Sequence, residues 1–330
     1  MSLDGLPLAV GSQGDAVRDL QQRLARLDFV VSDQEFGSYQ QGTEASVQAF
    51  QGERGLRVDG ICGRQTWSSL VEAGFTLGDR LLYLRQPMLR GDDVAALQRH
   101  LGALGFDAGR VDAIFGPRTE AALSEFQRNA ALVVDGVSGP ATLQILERLG
   151  GRVAGRQPVA VVREMERLRQ SPRTLAGTHV VLGDGGGMHA PISAIARVLG
   201  AAGARVTVLN HPDQSEQAQE ANATGAQVFV GLVLDGASDG CTSAYYAGHR
   251  FESPAGQRLA ELVQATIPPA LGIADRGTHG MAVPVLRETR MPAVLCELGP
   301  PTAVVAESAT LAQSFTHLMD IWVAAPCDEP

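Results

Sequence analysis

One stretch of this chain is written twice. The first copy runs Gly14-Asp15-Ala16-Val17, Leu20-Gln21, Leu24, Leu27, Phe36-Gly37, Thr43, Val47, Phe50-Gln51, Gly55-Leu56, Val58-Asp59-Gly60, Gly63, Thr66 and Leu70. The second runs Gly91-Asp92-Asp93-Val94, Leu97-Gln98, Leu101, Leu104, Phe115-Gly116, Thr119, Leu123, Phe126-Gln127, Ala131-Leu132, Val134-Asp135-Gly136, Gly139, Thr142 and Leu146. The offset stays between 76 and 79 residues, with two or three extra residues in the first copy between Gly37 and Thr43. Such a repeat fixes the architecture, because each copy must close a core from the same few apolar positions.

Val17, Leu20, Leu24 and Leu27 fall at helical spacing, as do Val94, Leu97, Leu101 and Leu104. Thr43 and Thr119 stand where the cap of a second helix is expected. Its apolar face carries Val47 and Phe50, or Leu123 and Phe126. Asp59-Gly60 and Asp135-Gly136 predict a turn, since glycine accepts positive φ without a Cβ clash. Gly63 to Thr66 and Gly139 to Thr142 open a third, short helix. Each copy therefore predicts a small three-helix unit whose Gly, Asp-Gly and Leu positions explain a bundle without any ligand. Leu77, Leu81, Leu82 and Leu84 form a short apolar bridge, which predicts that the two units pack on each other.

Past the second copy, Gly150-Gly151, Gly155 and Pro158 open a linker with a short charged helix from Val162 to Arg169, a solvated face. From His179 the texture changes. Short apolar runs at Val180–Leu182, Arg205–Leu209, Gln227–Leu234 and Pro292–Leu298 predict strands. Pro191–Ala202, Asp213–Ala223, Ala255–Thr266 (ending before Pro268-Pro269) and Thr302–Val323 predict helices. Strands alternating with helices imply a mostly parallel sheet covered on both sides.

A net charge of −9 argues against nucleic acid as a partner and against an anionic membrane surface. No run approaches the about 20 apolar residues of a membrane-spanning helix. The first ten residues have no basic start and no long apolar run, which predicts no signal peptide and a cytoplasmic location, or a wall location if a leader was removed. Cys62, Cys241, Cys296 and Cys327 are widely spaced without a CxxC pair, as for reduced thiols.

The run Gly183-Asp184-Gly185-Gly186-Gly187 after the first α/β strand does not match a dinucleotide fingerprint, and no Gly-Lys-Ser/Thr follows it. Neither Cys241 nor Cys296 has a histidine neighbour in sequence, so a cysteine nucleophile is not supported. Asp184, His189 and His279 remain as residues that could meet in one cleft, with His189 after the first strand and His279 before the fourth. His100, His211, His249 and His317 read as surface or packing residues.

The doubled motif resembles the peptidoglycan-binding-domain-1 family over residues 9–73 and 86–149. That resemblance implies modules that dock glycan–peptide polymers, and sometimes proteins. The C-terminal part resembles the zinc-dependent N-acetylmuramoyl-L-alanine amidases of the amidase-3 type. The features that carry this are the glycine loop at 183–187, the approach to the second strand at Gly203–Leu209, Ala221-Asn222 before the third strand, and Met291-Pro292-Ala293-Val294-Leu295-Cys296-Glu297-Leu298-Gly299. The resemblance implies two histidines and a glutamate on zinc, with Glu297 as general base on the metal-bound water. The implied ligand positions depart from this. The first falls at Gly186, the second in a shortened loop at Met188-His189-Ala190, and the third at Val233.

The expected organisation is a repeat over 1–76, a second over 77–150, a linker over 151–177, an amidase-3-like domain over 178–325 and a tail over 326–330. The expected fold is two small three-helix all-α units plus an α/β domain with a mostly parallel sheet flanked by helices. The expected function is a binding or regulatory protein of the cell wall that has lost zinc and hydrolysis, with Glu297 vestigial and no cofactor. The alternative is an active zinc amidase cleaving the muramic acid–L-alanine bond, using Glu297 and a site rebuilt on Asp184, His189 and His279. Expected partners are peptidoglycan or its precursors and a protein of cell-wall synthesis, with no nucleic acid and no membrane insertion.

Overall fold

The computed structural model describes residues 5–30, 33–150, 159–248 and 251–326. His249, Cys327 and most of the linker run named above, 151–158, lie outside the described residues. The chain forms two compact units, Met1–Met165 and Glu166–Pro330.

In the first unit each copy is three helices. The first has α1 (Asp15–Arg26), α2 (Gln41–Glu53) and α3 (Arg64–Ala73). The second has α4 (Asp92–Ala103), α5 (Pro117–Asn129) and α6 (Pro140–Gly150). Val17, Leu20, Leu24, Val47, Phe50 and Leu70 close one core, and Val94, Leu97, Leu101, Leu123, Phe126 and Leu146 close the other. The same edge-to-face ring pair recurs in both, Phe29 on Phe50 and Phe106 on Phe126, each at 5.6 Å between centroids. The copies are joined by Arg54, whose Nη1 donates to both carboxylate oxygens of Asp92 at 2.9 and 2.8 Å.

The glutamines of the repeated motif explain most of its polar letters. Gln51 lies 1% exposed. Its Nε2 donates to Asp59 Oδ1 (2.8 Å), to the carbonyl of Ile61 (3.0 Å) and to Thr66 Oγ1 (3.1 Å). Its Oε1 accepts from the backbone N–H of Asp59 and Gly60. Gln127 makes the same bonds to Asp135, Val137, Thr142 and Gly136. Gln98 does so again with Asp112, Ile114, Thr119 and Ala113, and Gln21 in altered form with Glu35, Ser38, Thr43 and Gly37. One buried amide thus pins a loop between two helices, satisfying donors and acceptors that burial would otherwise strand.

This overturns the capping role expected of Thr43 and Thr119. Each is the third residue of its helix, buried, with its hydroxyl turned inward to a glutamine; the caps are Gln40 and Gly116. The first-turn amides of α2 are served by Glu35, whose carboxylate accepts from Gly42 N (3.0 Å) and Thr43 N (2.9 Å).

Helix α7 (Val159–Gln170) runs through the boundary at Met165, and the second unit continues with β1 (His179–Asp184), α8 (His189–Ala201), β2 (Arg205–Leu209), α9 (Gln214–Thr224), β3 (Val228–Leu234), β4 (Gly240–Gly248), β5 (Phe251–Glu252), α10 (Pro254–Leu271), β6 (Ala274–Met281), α11 (Pro284–Glu288), β7 (Ala293–Leu298), α12 (Pro301–Ala306) and α13 (Ser308–Ala324). The strand order is β2-β1-β3-β7-β4-β5, with β6 on β4. Pairs β1–β2, β1–β3, β3–β7 and β4–β6 are parallel, while β4 runs antiparallel to β7 and β5. Alternation sorts the side chains by face. Val180, Leu182, Val230 and Leu232 pack with α8, α10 and α13, whereas Val181, Phe229 and Leu295 pack with α9 and α11. The α/β expectation therefore holds, as a mixed, mostly parallel sheet.

Three expectations change. Strands β4 and β6 were not expected; β4 is short of branched apolar residues and β6 is an exposed edge with two glycines. Helix α10 runs through Pro268 and Pro269 instead of ending before them. Both prolines lie in its last turn, where burial of Ile267, Pro268 and Leu271 holds the chain helical until Gly272 ends it at φ +64°. The closing helix is two, broken at Glu307. Among the described residues no helix is long and apolar enough to cross a membrane.

Candidate functional site

In a parallel sheet the functional edge is the carboxyl end of the strands, beside a change of strand order. Here that edge is built by the ends of β1, β3 and β7. After β1 the chain makes the glycine loop, and Asp184 organises it. Its Oδ1 accepts from Gly186 N at 2.8 Å and Met188 N at 3.3 Å, and the residue is 7% exposed. Amides that would face a phosphate in a nucleotide loop are thus taken by the chain's own carboxylate, which also repels an anion. Asn222, the family-like marker before β3, bridges α9 to the segment after α11. Its Nδ2 donates to the carbonyl of Glu288 at 2.8 Å and its Oδ1 accepts from Arg290 N at 2.7 Å.

His189 is the first residue of α8, exposed just beyond β1. His279 is not with it. It sits inside β6, exposed, with Nε2 3.1 Å from the carbonyl of Arg276. The register runs His279 to Ala244, Ala244 to Leu295, Leu295 to Gly231 and Gly231 to Gly183. Four strand spacings separate His279 from β1, about 19 Å at the usual interval. The expected meeting of Asp184, His189 and His279 therefore does not occur. Asp184 and His189 share the end of β1, and the unforeseen strand β6 carries His279 to the far edge.

Glu297, on β7, is half-buried and lies in register between Val233 on β3 and Thr242 on β4. Next to it the β3 end meets the glycine loop. Gly185 N donates to Leu232 O at 2.8 Å and Leu234 N to Gly186 O at 3.1 Å. A Cβ on Gly185 would lie 2.5 Å from Val233 Cγ2, and one on Gly187 3.0 Å from Leu234 Cβ.

Zinc takes nitrogen, sulfur or oxygen donors at about 2.0–2.3 Å, three of them from protein in a catalytic site. Gly186 and Val233 offer none, and among the described residues no three His, Cys, Asp or Glu converge. The residues present do not fit the ion. The thiols among the described residues are no substitute. Burial pushes Cys62 and Cys241 up to about 12 and Cys296 well above its ordinary range, so none is a ready thiolate.

The N-acetylmuramoyl-L-alanine amidase family Amidase_3 matches residues 191–308, and the peptidoglycan binding domain family PG_binding_1 matches 13–70 and 90–146. N-acetylmuramoyl-L-alanine amidase CwlM of Mycobacterium tuberculosis is 34% identical, over 90% of this chain and 82% of its own. The chain belongs to the N-acetylmuramoyl-L-alanine amidase family. N-acetylmuramoyl-L-alanine amidase CwlL of Bacillus licheniformis is 31% identical over 44% of this chain and 46% of its own. Among solved structures, the N-acetylmuramyl-L-alanine amidase Ami1 of Mycobacterium smegmatis is 15% identical at a TM-score of 0.40, covering 46% of this chain and 99% of that one. Two peptidoglycan-binding-type repeats and an amidase-type domain make this a cell-wall amidase homologue. Sequence reasoning missed the coupling of Val233 to Gly185, whose only sign is a valine and a glycine where the family pattern implies ligands nearby.

Proposed function

We propose that this chain is a binding or regulatory protein of the cell wall that does not hydrolyse peptidoglycan. The repeats dock peptidoglycan or its precursors, and the amidase-type domain serves contacts with a protein of cell-wall synthesis. The observation that carries this reading is the donor set at the strand ends. Where the family resemblance implies metal ligands stand Gly186, a shortened loop at 188–190, and Val233 with its methyl against Gly185. Glu297 keeps the place of a general base, but a carboxylate alone does not activate water against an amide.

The test is a lytic assay of the full chain on purified peptidoglycan, with zinc supplied. The expected result is no release of muropeptide. Lysis that disappears in Glu297→Ala would establish the active amidase reading instead. Co-sedimentation with insoluble peptidoglycan tests the docking half, and no retention would count against it. A cytoplasmic location belongs to the same proposal, and recovery of the chain from the wall fraction of cells would move it outside.

A further inference from the structure

We infer that an apolar seam between the glycine loop and the end of β3 has taken over the fastening of this cleft that a metal would supply, so the domain keeps its strand ends together without zinc. This rests on the non-hydrolytic reading above and adds what replaced the ion. A bound ion would tie the loop after β1 to the end of β3 through ligands from both. Here the same two segments are tied by packing and backbone bonds. Val233 lies over Gly185 so closely that any side chain at 185 would meet its methyl at 2.5 Å and the carbonyl of Leu232 at 3.2 Å. Leu234 lies likewise against Gly187, whose φ of +75° already favours glycine. The flanking bonds Gly185 N to Leu232 O and Leu234 N to Gly186 O lock the register, and Asp235 N to Leu298 O at 2.9 Å extends it to β7. Beyond β7, a Cβ on Gly299 would meet the carbonyl of Asp235 at 2.5 Å, so the end of β7 is closed onto the segment that follows β3. With valine at 233, position 185 has no room for a side chain, so the glycine and the valine act as one feature.

Thermal unfolding of the full chain tests this. After exhaustive dialysis against EDTA, and again with excess zinc, the midpoint of the amidase-type unit is expected to be unchanged. An upward shift with zinc would overturn the inference. Gly185→Ala is expected to lower that midpoint by about 5 °C or more, and adding Val233→Ala is expected to recover most of the loss. Additive losses would overturn the seam. If Gly185→Ala alone yields no folded protein, a folded double variant is the expected recovery, and its failure to fold counts against the seam. The two proposals fail separately. A zinc shift without lysis removes the seam and leaves the non-hydrolytic reading, whereas lysis by metal-free protein removes that reading and leaves the seam.

Discussion

Ser138 and Cys62 occupy the same place in the two repeats, each forming an isolated antiparallel β-bridge, to Leu82 and Leu8 respectively. Both are sealed, at 1% and 0% exposure, but the Ser138 hydroxyl has no hydrogen-bond partner among the described residues. A buried unpaired hydroxyl costs more than the thiol that fits the same hole. Ser138→Ala is therefore expected to stabilise the first unit by about 1 kcal/mol, read as a raised urea midpoint at unchanged slope. His179 behaves differently. It opens β1 at 6% exposure, its Nε2 2.8 Å from Thr207 Oγ1. Burial, and then the Arg205 charge, hold its pKa below the ordinary 6.5. The unfolded chain takes up the proton first, so this contribution is full above pH 6.5 and is lost as pH falls below it. The thermal midpoint is expected to drop between about pH 7 and pH 5, and less steeply in His179→Gln. An identical slope in the variant would show that His179 is not responsible. His100, also held low by burial and then Arg99, keeps its own share in both proteins.

At the scale of elements, the glutamine pins decide whether a loop and its two helices form one object. Gln127→Ala strips partners from Asp135 N, Gly136 N, the Val137 carbonyl and Thr142 Oγ1 at once. The expected cost is about 2–4 kcal/mol, and Gln51→Ala should match it, both measured by chemical denaturation. A cost below that of Thr142→Val would show the amide to be replaceable by water. The helices of both repeats are legible in sequence because Val17, Leu20 and Leu24 keep the helical period without interruption. The pins are legible only as letters, since nothing in a one-dimensional spacing says that Gln51 points inward. Strands β1, β3 and β7 announce themselves as apolar runs. Strand β6, Ala-Asp-Arg-Gly-Thr-His-Gly-Met, carries none of that signal, because an edge strand is held by its backbone and by α10 beneath it. That omission is also why His279 was expected beside His189. A strand missed in sequence misplaces every residue it carries.

For the whole molecule, the two units have separate cores. Calorimetry of the full chain is expected to show more than one transition, and Gln127→Ala should move only the one belonging to the repeats. A single transition displaced as a whole would show the units to be energetically one. The family and the order of the modules are legible from end to end, because the repeat and the Glu297 strand survive as text. What the amidase-type unit does with its strand ends is not, because the text there records only missing donors. The contact of Val233 with Gly185 has a consequence for descent. A histidine arriving at 233 finds no donor at Gly186, where φ is +127° and any side chain is strained. A side chain arriving at 185 first collides with the valine. Neither change alone brings a pair of donors to the strand ends, so a return to a metal site through these positions takes more than one substitution.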